Sequence, residues 1–340
     1  MPILNQNNSY EVEKYEQFVE SSPHGHMMQS VNWAKVKSNW DKDYIYLEDE
    51  DGNIRAAMSI LSIKNDGIHS FLYASRGPVC DFYDLDTVKA LLAEAEPVIQ
   101  ARQAFLLRMD PEVIYDPDLV QSYQDLGLTV RTRGEVEKSF SNPRNNMMMD
   151  LAGKDKDEVN AFLTSKRRNS IRKTYKNGLV TSQFMAGDPG YSRALDTFFE
   201  LTKIMAERQK ITHRPKSYFD RLLHAFPDAR IFETKDDGGE VLASGIVVTY
   251  NRKSFYIYGA SSNNKRNLKA PNQLNYEAIQ YAVSRGAEEY DFGGVFDFDT
   301  SDGLFAFKKG FCKKEGLREF IGEIDYVLDE ELYRDFMKTQ

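Results

Sequence analysis

The sequence predicts a mixed α/β chain made of two successive domains of one design. Three observations support this. Segments with helical and with strand periodicity alternate along the chain. The order helix, hairpin, strand, helix, strand occurs twice: the turn glycines Gly52 and Gly238 lie 186 positions apart, and the strand tyrosines Tyr73 and Tyr258 lie 185 apart. The length, 340 residues, suits two domains at about 150 residues each.

In the first half, Trp33 and Val36 mark a helical stretch, and Tyr44–Asp49 alternates as a strand. Glu50-Asp51-Gly52-Asn53 carries turn chemistry, and Ala56–Ile63 is the returning strand. A third strand is expected at Phe71–Val79. Leu85, Val88, Leu91, Leu92, Ala95 and Ile99 form one amphipathic stripe, read as a single helix leading to a strand at Ala104–Asp110.

The second half repeats the series. A stripe through Leu195, Phe198, Phe199, Thr202, Met205 and Ala206 precedes a hairpin, Arg230–Thr234 and Val241–Tyr250, turned by Asp236-Asp237-Gly238-Gly239. A strand at Phe255–Ser262 follows, then a helix through Leu274, Ala278, Ile279, Ala282 and Val283 with Gly286 at its C-terminal cap, then a strand at Glu288–Gly293. Asn142-Pro143-Arg144-Asn145-Asn146 has the composition of a junction. The expected domains are residues 1–147, completed by 317–340, and residues 148–316.

Composition excludes several functional classes. Hydrophobic residues make up 41% and charged residues 28%, as in a globular chain. No apolar run approaches the roughly 20 residues of a membrane span, and the N-terminus lacks a signal-peptide pattern. A cytoplasmic monomer without stable membrane insertion is expected. Two distant cysteines and five scattered histidines predict no metal site. The phosphate-binding loops GxxxxGK[ST] and GxGxxG and the GxSxG nucleophile elbow are missing, and no cofactor is expected. Against 52 acidic residues stand 44 Lys and Arg, a net charge of −8. This argues against coating long nucleic acid but leaves room for a local anion site.

The local excess of cations falls at Ser165–Lys176, with six Lys or Arg and no acid. Helical spacing puts Arg168, Arg172 and Lys176 on one face, either a polyanion contact or a solvated helix face. Arg214, before Pro215, is extended and suits a diphosphate or a surface ion pair. Period two puts Tyr256 and Tyr258 on one strand face. Asp110 ends a strand, as a cleft residue or a turn former, and Lys308 sits among aromatics in Phe305-Ala306-Phe307-Lys308.

Taken in order, Trp33-Ala34-Lys35-Val36-Lys37, Tyr73-Ala74-Ser75-Arg76-Gly77-Pro78, Arg108-Met109-Asp110-Pro111, Ile211-Thr212-His213-Arg214-Pro215, Asp291-Phe292-Gly293-Gly294 and Phe307-Lys308 resemble the FemABX family over nearly the whole chain. The resemblance implies two tandem GNAT-like (acyl-CoA N-acyltransferase-like) domains with mixed sheets. It implies transfer of an amino acid, alanine first among the options, from aminoacyl-tRNA to the lysine ε-amine of a peptidoglycan precursor. No segment suits the long helical arm of the lipid-linked type, which favours soluble UDP-MurNAc-pentapeptide as acceptor. By position, Lys37, Thr212, Arg214, Tyr218 and Tyr256 would bind that precursor, and Asp110, Tyr258, Phe307 and Lys308 would form the transfer centre. Arg168, Arg172 and Lys176 are assigned to the tRNA acceptor arm from charge. Two departures from the family pattern are Phe105 for a tyrosine and Arg76 for a lysine. A CoA-dependent N-acyltransferase and a non-catalytic tRNA- or precursor-binding module are the alternatives.

Overall fold

The computed structural model describes residues 3–132, 141–296 and 303–339. In chain order, the first part runs α1 (Ser9–Ser21), α2 (Val31–Val36), β1 (Asp41–Glu48), β2 (Ile54–Lys64), β3 (Ser70–Ala74), α3 (Leu85–Glu94), α4 (Glu96–Arg102), β4 (Ala104–Met109), α5 (Pro117–Asp125) and β5 (Thr129–Arg131). Then come β6 (Asn145–Asp150), α6 (Lys156–Phe162), α7 (Ser165–Lys176), β7 (Val180–Phe184), α8 (Tyr191–Gln209), α9 (Lys216–Ala225), β8 (Ala229–Lys235), β9 (Val241–Tyr250) and β10 (Lys253–Ser261). The chain closes with α10 (Ala270–Ser284), β11 (Glu289–Gly294), α11 (Gly303–Cys312), β12 (Leu317–Glu319), β13 (Glu323–Val327) and α12 (Glu330–Met337).

Two compact units result: Met1–Asn145 with Glu319–Gln340, and Asn146–Arg318. Each is built on a mixed sheet, of order β1-β2-β3-β4-β13-β5 in the first and β12-β6-β11-β10-β9-β8-β7 in the second. Both sheets have an antiparallel hairpin, an antiparallel third strand and one parallel joint, β3 with β4 and β10 with β11. A parallel joint needs a crossover, and α3–α4 and α10 supply it. An antiparallel strand follows in each sheet, β13 beside β4 and β6 beside β11. The fold is therefore mixed α/β, one design used twice.

The cores follow the stripes. Val88, Leu91, Val98 and Ile99 pack with Ile45, Met58, Leu72 and Leu107 in the first unit. Leu274, Ala278, Ile279 and Ala282 pack with Phe232, Val247, Tyr290 and Phe292 in the second. On the other face of the first sheet, Phe105 is fully buried with its ring 5.4 Å from that of Phe336. A tyrosine hydroxyl there would need a buried partner.

Two expectations change. The third strand stops at Ala74 instead of continuing to Val79, because the chain turns at Arg76, where φ is +52°. The stripe Leu85–Ile99 is two helices, α3 and α4. Pro97 lies in the first turn of α4, where its missing N–H is no loss but the α3 hydrogen-bond ladder cannot continue.

Candidate active site

In the second unit, two cavities adjoin at the start of α11. The larger, about 1020 Å³, is lined by Lys166, Arg167 and Lys173 of α7, by Lys265, Arg266 and Lys269 of the loop after β10, and by Ala270 to Asn272 at the N-terminus of α10. Its described lining contains no carboxylate. The N-terminal dipole of a 15-residue helix adds to the positive field. This is an anion site.

The smaller cavity, about 300 Å³, is lined by Tyr256, Ile257, Gly259, Phe292, Gly293, Gly294, Leu304 and Lys308 among others, again with no described carboxylate. Ser261, Pro271 and Phe307 line both cavities. Lys308 is 7% exposed, and its Nζ donates to the Gly294 carbonyl at 2.7 Å. That carbonyl is aimed by the end of β11, where Gly293 has φ +76° and its N–H donates to the buried Asp291 at 2.6 Å. Asn146 holds the same carboxylate at 3.0 Å. A fixed ammonium in an apolar wall acts at low effective dielectric, where its attraction for developing negative charge is strongest.

Tyr256 and Tyr258 do not share a face. The β10–β9 register pairs Tyr256 with Val247 and Tyr258 with Ile246, so Ile257 is an extra residue and the strand bulges there. One inserted residue reverses the alternation. Tyr256 joins the α10-side core and shares a hydrogen bond with Asn275; burial pushes its phenol up to about 12. Its ring lies against Gly259, where a Cβ would strike the phenol oxygen. Tyr258 faces α9: its ring is 5.1 Å from Phe219, and its oxygen shares a 3.1 Å hydrogen bond with Tyr218. Burial raises the Tyr258 phenol, while its hydrogen bonds to Tyr218 and Arg214 pull it back.

Arg214 therefore belongs to a cluster with Tyr218 and Tyr258. It is exposed, its guanidinium stacks 5.5 Å from the Tyr218 ring centroid, and it hydrogen-bonds Tyr258. Thr212 is exposed on the same segment between α8 and α9. In the first unit, Lys37 ends α2 with its ammonium 5.1 Å above the Trp33 ring.

Asp110, expected as a base, lies after β4, close to the turn that follows β3. Its carboxylate is 2% exposed and accepts from the Tyr73 hydroxyl (2.6 Å), the Arg76 N–H (2.6 Å), the Asn142 N–H (2.9 Å) and the Asn142 amide (3.0 Å). These donors fix the carboxylate and tie it to the turn after β3.

On α7, Arg168 turns back onto the carbonyls of Ala161 (3.0 Å) and Leu163, capping the segment that ends α6. Arg172 and Lys176 are exposed, but the cavity is lined by the Lys166–Lys173 face. Sequence reasoning also passed over Arg167, Lys265 and Lys269. Their charge was visible, but the packing of α7 on α10 that brings them together was not.

The FemAB family model matches residues 10–234 and 229–337. The chain belongs to the FemAB family. Among relatives, the UDP-N-acetylmuramoylpentapeptide-lysine N(6)-alanyltransferase of Weissella viridescens is 39% identical over 345 positions, covering 99% of this chain and all of that one. The lipid II:glycine glycyltransferase of Staphylococcus aureus (strain MRSA252) is 28% identical over 400 positions, covering 95% of this chain and 93% of the relative. That alignment is longer than this whole chain, so this glycyltransferase carries segments that are missing here. The crystal structure of FemX superposes with a TM-score of 0.85 at 26% identity, covering 96% of this chain and 98% of that one. A tandem GNAT protein from the clavulanic acid biosynthesis pathway shares the fold, with a TM-score of 0.56 at 12% identity. No described helix is long and apolar enough to cross a membrane.

Proposed function

We propose that the chain transfers an amino acid, alanine, from aminoacyl-tRNA to the lysine ε-amine of UDP-MurNAc-pentapeptide in peptidoglycan cross-bridge synthesis, acting in the cytoplasm. The observation that carries this is the junction of a cationic cavity and a Lys308 cavity at Phe307. Identity to the alanyltransferase along the full chain supports it. The tRNA 3′ end, an aminoacyl ester on a ribose that follows a run of phosphodiesters, suits the cationic cavity. The acceptor amine suits the Lys308 side.

The aminoacyl ester is already activated, so no nucleotide hydrolysis is required. The neutral amine attacks the ester carbonyl, the new C–N bond forms, and the C–O bond to the ribose breaks. Negative charge builds on the carbonyl oxygen, where Lys308 meets it. The proton leaving the amine is assigned to the departing ribose oxygen, carried through the substrates themselves.

Arg214 holds the diphosphate of the precursor, with Thr212 and Tyr218 beside it; Lys37 and Tyr256, each within its own unit, keep the precursor contacts that the family resemblance implies. A charge-assisted contact of this kind contributes about 1.5–3 kcal/mol. Arg214→Met and Lys37→Met should each weaken binding of UDP-MurNAc-pentapeptide by about that amount in calorimetry. Unchanged affinity in both rejects the assignment. On α7, Lys173→Ala should raise the KM for alanyl-tRNA about tenfold and lower its salt slope by about one. Arg172→Ala and Lys176→Ala, on the solvent face, should do less. Equal effects on both faces would place the RNA outside the cavity.

The reading as a whole is tested by offering charged tRNA or acetyl-CoA as acyl donor with UDP-MurNAc-pentapeptide. Turnover is expected with alanyl-tRNA alone, and turnover with acetyl-CoA alone would favour the CoA-dependent alternative.

A further inference from the structure

One cation that lines the larger cavity, Arg167, is held by backbone, amide and aromatic contacts. Arg167 is mostly buried, and among the described residues no carboxylate pairs with it; desolvation lowers its pKa to about 10. Burying an unpaired charge is costly, and an aliphatic side chain could fill the same space. Something must require this guanidinium, and its contacts show what it holds. One nitrogen donates to the Phe307 carbonyl at 2.7 Å, and another donates to the Asn272 side-chain oxygen. Asn272 in turn donates to Ser170 on α7 at 2.8 Å. The guanidinium plane stacks on Phe311 at 4.2 Å and Phe307 at 5.1 Å from the ring centroids.

Gly310 supplies an independent observation. It lies inside α11, where glycine weakens a helix. A Cβ at that position would fall on the Arg167 guanidinium. The helix thus carries a residue unfavourable to it where the guanidinium needs room to approach the backbone.

We infer that Arg167 is a positioning residue for the transfer centre: its guanidinium clamps the α11 main chain at Phe307 to α7 and to the N-terminus of α10, and so fixes where Lys308 stands in the wall of the smaller cavity. This rests on the reading of Lys308 as the group that meets the developing oxyanion. The clamp acts one residue away from Lys308, through a carbonyl that a helix would otherwise present only to its own N–H groups. A planar fork that holds two acceptors at once sets direction, which a lysine ammonium does not. Neither Phe307 nor Arg167 donates a proton in the reaction.

The test uses the full chain, alanyl-tRNA and UDP-MurNAc-pentapeptide, with kcat and both KM values measured beside the unfolding midpoint. Arg167→Met should lower kcat by about 10²-fold, the order expected of a misplacement of about 1 Å at a reacting centre, with the KM for the precursor within about twofold. Arg167→Lys should recover little, since it restores charge but not the fork. Gly310→Ala leaves Arg167 in the chain and only displaces it, and should give the same kcat loss. The double variant Arg167→Met/Gly310→Ala should be no worse than either single one, because the clash vanishes with the guanidinium. A lower midpoint with unchanged kcat would show a purely structural role and overturn the inference. So would a raised KM for alanyl-tRNA at normal kcat, which would make Arg167 a donor-binding group. If Lys308→Ala also retains normal kcat, the fault lies in the reading of the transfer centre. If Lys308→Ala is inactive while Arg167→Met is normal, only the clamp fails.

Discussion

Replacing Lys308 by Ala is expected to lower kcat by about 10²–10³-fold, the usual loss on removing one preorganised oxyanion stabiliser. Binding of UDP-MurNAc-pentapeptide should stay unchanged in calorimetry. The size of the effect follows from the surroundings. The ammonium is nearly excluded from solvent, oriented by the Gly294 carbonyl and walled by Phe292, Phe307 and Leu304. Because the charge it meets exists only in the transition state, the loss should appear in kcat rather than in KM. A variant with normal kcat would move the transfer centre away from α11.

The second large effect concerns stability of the first unit. β13 enters its sheet between β4 and β5, with Asp325 opposite Arg108. Arg108 and Asp325 are both fully buried, and Arg108 donates to both Asp325 oxygens at 2.7 Å. Tyr333 of α12 donates to the same carboxylate at 2.9 Å. Asp325→Ala leaves a guanidinium in the core with Glu323, 3.1 Å away, as its remaining carboxylate. Breaking a buried pair costs about 3–5 kcal/mol, and Glu323 should hold the loss to the lower end. Urea unfolding should show it as an earlier transition. An unchanged midpoint would mean that the pair contributes little and that β13 is held by its apolar neighbours alone.

The two sheets were legible because their determinants are local. Both hairpins are turned by Asp-, Asn- and Gly-rich segments, with Gly52 at φ +78° in the first. In the second, the left-handed residue is Gly239 at +83° rather than Gly238, the glycine used to count the repeat. The helix stripes found their cores, but Pro97 divides one of them.

The site was less legible because it depends on one inserted residue and on helix packing. Ile257 bulges β10 and sends Tyr256 and Tyr258 to opposite faces. The only local sign was Gly259, a glycine within a strand pattern. Asp110 has the residue type of a base, and its four donors, drawn from distant parts of the chain, could not be read from its own segment. Charge counting found α7 but could not tell which of its faces lines the cavity, since that is decided by the packing of α10 and not by the α7 sequence.

The central claim is transfer of an amino acid to one particular amine. The direct measurement is tandem mass spectrometry of UDP-MurNAc-pentapeptide after incubation with the chain and alanyl-tRNA. The account predicts one added alanine, in amide linkage to the lysine side-chain nitrogen, none when the tRNA is uncharged, and formation slowed about 10²–10³-fold when Lys308→Ala replaces the wild type. A precursor that stays unmodified with alanyl-tRNA present, or one acylated at any other position, would contradict it.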